Sequence, residues 1–212
     1  MISRLSVVTP ATSADLVSLA ETKAVLGVDG SDDDALIQIF ITQASDALAR
    51  FCKRVFAHEG VKQSVRTEDG DAIGHQPIVL RRRPVELTGF GASINGVAVE
   101  AGRLEVDPSA GLLWLLDEIG NQMKWPARAS VEITYSAGYS LPTGTPAALK
   151  RACILLVNHY RASTARDPLL KGETVEGVGR MDYAVTTSSG ETPSGLPSDV
   201  EALALPFRQV AL

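Results

Sequence analysis

Cysteine, histidine and aromatic side chains are all scarce in this chain of 212 residues, which has two cysteines, three histidines and 5% aromatics. Cys52 and Cys153 fall on apolar positions of helical patterns and read as buried, reduced thiols. That excludes a disulfide scaffold and fits synthesis in the cytoplasm. His58, His75 and His159 have no metal-pair spacing, and the chain lacks CxxC, HExxH, a phosphate-binding glycine loop and a Gly-x-Ser-x-Gly elbow. No metal, cofactor or catalytic residue is therefore assigned. Long apolar runs are missing as well. The longest, residues 152–157, cannot cross a bilayer, and Leu5, Val7 and Val8 ahead of Pro10 are too few and broken for a signal peptide, so a soluble, unexported protein is expected. There is no cationic excess either: 20 Lys and Arg stand against 25 Asp and Glu, a formal charge of −5. Such a chain does not grip nucleic acid by its phosphates, which still leaves room for a surface past which DNA slides.

Hydrophobic residues make up 45% of the sequence, enough for one well-buried core. The stretch around which the rest is organised is residues 145–166, TPAALKRACILLVNHYRASTAR. Thr145 is placed to cap, and Pro146 stands where the first helical residue needs no N–H. At about 100° per residue, Leu149, Ala152, Cys153, Leu156, Val157 and Tyr160 form one apolar face, with Ile154 and Leu155 on its flanks. The polar remainder is a strip holding Lys150, Arg151, Asn158 and Arg161. A helix apolar over more than half its girth must be covered on more than one side, by its own chain or by another copy.

Upstream, residues 1–17 show no periodicity and read as an N-terminal arm, ordered only if something holds it. Ser18 and Glu21 have the spacing of a capping box, and Gly27 is placed to end that first helix. Ser31 is the expected cap of a second helix with Asp32, Asp33 and Asp34 in its first turn. Leu36, Ile37, Phe40, Ile41, Ala44, Ala47, Leu48, Phe51 and Val55 then recur at helical spacing. The acidic stretch 29–34 fails as a calcium loop, since its sixth position is Asp34 rather than Gly and its twelfth is Phe40 rather than Glu.

Between residues 57 and 139 the period becomes alternating, with strands expected at 61–66, 77–80, 85–90, 96–99, 104–106, 112–116 and 131–135. Asn95-Gly96 signals a hairpin through its tolerance of positive φ, and residues 107–111 signal another turn. Arg81, Arg82 and Arg83 point to alternating sides of an extended chain and read as a solvated edge beside Pro84, not as a phosphate site. Ser136-Ala137-Gly138-Tyr139 reads as a chain reversal. Residues 167–197 read as a loop or arm rich in Gly, Thr and Ser, and Ser198 as the cap of a short helix to Ala204. The apolar end after it must dock on the parent domain or on a partner. The expected fold is α+β: a helical bundle of two N-terminal helices and a long C-terminal helix, with an inserted antiparallel β-rich region and an extended C-terminal arm. In domain terms this gives an arm at 1–17, a connector domain at 18–166 with its β-rich insertion at about 58–140, a loop at 167–197 and a docking tail at 198–212.

Taken in order, SLAETKAVLGVDGSDDDALIQIFITQASDALARFCKRVF, IVLRRRPVELTGF, ING, LEVDPSAGLLWLL, KWP, VEITYSAGY, TPAALKRACILLVNHYRAS and DVEALALPFR resemble the head-tail connector family of tailed bacteriophages, the adaptor or head-completion proteins, including adaptors of gene transfer agents. The resemblance covers nearly the whole chain, and the order of the pieces rather than any one of them makes it specific. It implies a structural, non-enzymatic virion protein made in the host bacterial cytoplasm and located at the head-tail neck. There it forms a ring, a dodecamer by resemblance, beneath the portal protein. The ring extends the DNA channel without specific binding and offers a platform to a stopper or other tail protein. No membrane is involved.

The resemblance also places the portal contact in the C-terminal segment, at Leu203, Leu205, Pro206, Phe207 and Arg208, with Phe207 as anchor. Ring contacts are expected at Ile37, Ile41, Ile154 and Leu155, with burial in the monomer as the competing assignment. Two other classes stay open at this level. One is a small enzyme using a carboxylate with His75 or His58, and the other a monomeric ligand-binding module built on the β-region.

Overall fold

Helical spacing on both sides of an alternating stretch produces an α+β structure with antiparallel sheets, most of whose strands lie between the second and third helices. The computed structural model describes residues 2–67, 76–164, 172–175, 179–182 and 195–209. The chain divides into two compact units, Met1–Ser13 with Val55–Ser140 and Ala14–Arg54 with Leu141–Leu212, where composition had suggested one core.

The first unit is a β-structure. Its strands are β1 (Ile2–Thr9), β2 (Glu59–Arg66), β3 (Ile78–Val79), β4 (Val85–Ile94), β5 (Val97–Ala98), β6 (Leu104–Asp107), β7 (Leu112–Leu116), β8 (Gln122–Met123) and β9 (Ser130–Ala137). A five-stranded sheet runs β1-β2-β9-β4-β5, and a four-stranded sheet runs β3-β7-β6 with β8 also on β7. Alternation decides which side is buried. Val61 and Val65 of β2 and Val131, Ile133 and Tyr135 of β9 turn inward and join Ile78, Leu80, Leu113 and Leu115 in one core. Asn95 at φ 51 and Gly96 at φ 84 make the hairpin between β4 and β5, both in the left-handed region that a type I′ turn requires.

Within that core lies one polar knot. Gln63, fully buried, donates from Nε2 to the Val79 carbonyl at 2.9 Å and to Ser3 Oγ at 3.2 Å. Its Oε1 accepts from Tyr135 Oη at 2.9 Å and from the Arg81 N–H at 3.0 Å. A buried amide is tolerated because its donors and acceptor are matched, and the knot ties β1, β2, β9 and the segment after β3 together.

Three features of this unit differ from the sequence reading. Residues 2–9 are held as β1, antiparallel to β2 from Ile2↔Arg66 to Val7↔Val61. The alternation was invisible because Ile2, Val7 and Val8 are exposed while Ser3 and Leu5 are the more buried positions. The arginine run is a bend before β4, with a cis Arg83–Pro84 peptide, rather than an edge strand. Its side chains diverge, Arg82 to Glu59 at 3.2 Å and Arg83 to the Ala110 carbonyl at 2.8 Å. Gly138 does more than reverse the chain: at φ +112 it lies so close to Ala57 that an added Cβ would stand 2.2 Å from the Ala57 carbonyl oxygen.

The second unit is helical: α1 (Leu19–Leu26), α2 (Asp34–Cys52), α3 (Ala147–Thr164) and α4 (Ser198–Ala204), the last followed by a 3₁₀ turn, Leu205–Phe207. A hairpin of β10 (Gly172–Val175) and β11 (Gly179–Asp182) occupies part of the stretch read as loop. Ser18 caps α1 by accepting from the Glu21 N–H, and Gly27 ends it at φ 64. The Glu21 carboxylate is engaged by Lys150 at 3.0 Å. Ser31 does not cap α2. That position belongs to Asp33, which makes no side-chain cap bond and instead pairs with Arg161 at 3.3 Å, while Asp34 pairs with Lys23. Ser198 is the first helical residue of α4, whose cap position is Pro197.

The girth of α3 is covered within its own unit. Leu149, Ala152, Cys153, Ile154, Leu156 and Val157 are buried, and α2, α4 and α1 all pack on α3. Between α2 and α3 the contacts include Ser45 Oγ with Cys153 Sγ at 3.7 Å and the rings of Phe40 and Tyr160 at 6.1 Å. Burial pushes the Cys153 thiol up to about 12, opposed by the Ser45 hydrogen bond, and pushes Cys52 up to about 11, so both are inert thiols at neutral pH.

Candidate assembly surfaces

Chemistry has little to work with among the described residues. His58 Nε2 and Glu86 Oε2 meet at 3.0 Å, but both side chains are nearly half exposed and neither lines either groove described below. A carboxylate that can orient an imidazole is present, then, in an open position. His159 is exposed on α3 beside Tyr160, and His75 lies outside the described residues. No group of His, Cys, Asp and Glu that could hold a metal occurs among the described residues. No described helix is long and apolar enough to cross a membrane.

The C-terminal segment is seated on its own unit. Val200 and Ala204 are buried, Cys52 Sγ donates to the Ala204 carbonyl at 3.5 Å, and the Gln209 N–H donates to the Cys52 carbonyl at 2.8 Å. Arg208 stacks its guanidinium 5.3 Å from the Phe51 ring. Of the residues expected to meet a portal, Leu205, Pro206 and Arg208 are exposed, while Leu203 and Phe207 are half-buried. Residues 210–212 lie outside the described residues.

The expected ring contacts fare unequally. Ile37 and Ile41 have no exposed surface and Ile154 has 5%, so these three follow the competing assignment, burial within the single chain; Leu155 is half-buried. The apolar surface that α2 does present is Leu36, at 41% exposure, and Ile39, at 52%, one turn apart. Leu36 had been counted with the buried stripe, and Ile39 was missed. About 100° per residue puts Ile39 some 200° from Ile37, and an isoleucine there is the signal that could have found it. On α1, Val25 is similarly exposed at 52%.

At the other end of α2 a groove of about 550 Å³ runs between the helix end, Tyr160 of α3 and the segment carrying α4. Phe51, Ala47 and Leu196 supply its apolar surface, and Arg50, Lys53 and Arg208 outnumber Glu201 at its rim. Arg50 pairs with Asp46 at 2.9 Å, both side chains largely exposed. In the β-unit a second groove of about 380 Å³ is lined by Val97, Val99, Leu115 and Met123, with Glu100 and Arg103.

The described surface thus carries grooves, exposed aliphatic residues and spread charge pairs. The chain belongs to the head completion protein family, whose profile matches residues 15–182, and that membership makes it a structural protein rather than an enzyme. Similar solved structures agree in fold along nearly the whole length. A chain in the neck of an empty gene transfer agent particle, computed with C6 symmetry, aligns with a TM-score of 0.58 and 19% identity over 99% of this chain and 97% of that one. A chain in the virion of a native gene transfer agent particle gives 0.57 and 18% over 98% and 96%. A chain in the neck of the native particle, computed with C12 symmetry, gives 0.54 and 19% over 99% and 97%. No curated protein sequence matches the chain.

Proposed function

We propose that this protein is a subunit of the head-tail neck of a tailed phage or gene transfer agent particle, forming a ring beneath the portal. The single observation that carries this is the family match over residues 15–182, supported by the likeness to chains of particle necks computed with sixfold and twelvefold symmetry. Twelve copies extend the DNA channel and present a platform to the stopper or tail. The net charge of −5 suits a conduit, because a lumen lined with bound phosphates would retain DNA.

Head-to-tail contacts close such a ring, and Leu36 and Ile39 are the apolar residues α2 has available for them. Leu205 and Pro206, exposed on the seated tail, are the portal-facing candidates. The test is deletion of the gene from a particle-producing strain. DNA-filled heads lacking tails are expected, and normal tailed particles would refute the assignment. Cutting the chain after Pro197 would strip buried Val200 and Ala204, so the portal contact is better tested by Leu205→Asp. Loss of portal binding with unchanged far-UV circular dichroism supports it.

A further inference from the structure

The two ends of α2 are unlike in charge. Just ahead of its N-terminus, Asp29 and Asp32 are exposed and, among the described residues, make no hydrogen bond or ion pair, whereas Asp33 and Asp34 are engaged by Arg161 and Lys23. At its C-terminus lies the groove with Phe51 inside and Arg50, Lys53 and Arg208 at the rim. Both features belong to the same unit and flank one continuous helix.

We infer that the cationic groove of one copy receives the acidic turn at 29–32 of the adjacent copy, so that α2 acts as the head-to-tail joint of the assembly. This rests on the ring reading above and names its contact. Three facts favour a second copy as occupant. The charges are complementary. The apolar residues Leu36 and Ile39 sit at the acidic end and Phe51 at the cationic end. And a knob and a groove on different ends of one chain generate a heterologous contact, the kind that closes into rings. The helix of 19 residues separates the two ends by about 27 Å at 1.5 Å per residue. The Arg50–Asp46 pair does not block the contact, since an exposed ion pair exchanges partners at little cost.

Charge reversal tests it in particles, each variant being the sole copy of the chain. Asp29→Lys with Asp32→Lys, and separately Arg50→Glu with Lys53→Glu, should each lower the chain's copies per particle by about tenfold or more. All four substitutions together restore opposite signs and should return the count toward wild type. The free variants should keep wild-type far-UV circular dichroism, because the substituted side chains are on the surface. Wild-type copy number in either reversed variant overturns the inference, and so does a combined variant as defective as its parents. A wild-type particle holding no ring of this chain would instead defeat the ring reading, a result told apart by imaging the unmutated neck.

Discussion

Replacing Gln63 by leucine should damage the β-unit far more than its loss of volume suggests. Leucine fills much the same space but leaves the Val79 carbonyl without its donor and Tyr135 Oη and the Arg81 N–H without their acceptor. Ser3 and the Arg81 backbone lie near solvent and can recruit water. Tyr135 Oη still accepts from the Arg82 N–H at 3.3 Å, yet its own proton loses its partner. The buried Tyr135 hydroxyl and the partly buried Val79 carbonyl are then unsatisfied, at about 1–3 kcal/mol each, so Gln63→Leu should destabilise the unit by about 3 kcal/mol. Tyr135→Phe removes one of those groups. The double variant should therefore be more stable than the sum of the two losses implies, by about 1–2 kcal/mol. The assay is urea unfolding followed by tryptophan fluorescence. Trp114 and Trp125, the only two tryptophans, both lie in Val55–Ser140, so the signal reports this unit without the helical one. A loss below about 1 kcal/mol for Gln63→Leu, or strict additivity in the double variant, would refute the view that this amide is a satisfied buried knot.

Gly138→Ala should destabilise the same unit by several kcal/mol, since its Cβ would meet backbone that no side-chain rotation can relieve; a fluorescence melt within a degree of wild type would contradict this. The Cys153 thiol, neutral in the fold up to about pH 12, ionises in the unfolded chain near its ordinary value of 9.0. Its contribution to stability is thus complete below about pH 9 and declines as the pH rises toward 12, and Cys153→Ala should flatten that alkaline decline in chemical denaturation. Leu36→Asp with Ile39→Asp should leave the melting curve unchanged, both positions being exposed, while sharply reducing incorporation of the chain into necks by immunoblot of purified particles.

What the sequence made legible is what local pattern determines. The strand at 112–116 is β7 residue for residue, and Asn95-Gly96 adopts the positive φ its chemistry allows. The buried face of α3 follows its 100° spacing. Features decided by distant partners were not legible. β1 exists because β2 supplies its hydrogen bonds, while three of its four aliphatics, Ile2, Val7 and Val8, point to solvent. Ser31 lost the cap of α2 where Lys23 and Arg161 engage the neighbouring carboxylates. The same limit governs the surfaces: periodicity identified α3 as excessively apolar, but not that α2 and α4 of the same chain would cover it. The ring contacts assigned to Ile37, Ile41 and Ile154 fell inside for that reason, and the acidic and cationic ends of α2 emerged only once the groove around Phe51 had formed.

The most direct measurement is imaging of the neck of a purified particle at a resolution that traces this chain. A closed ring of copies between portal and tail, with neighbouring α2 helices joined end to end, is the predicted result. A chain found singly, or elsewhere in the particle than the neck, would contradict the account.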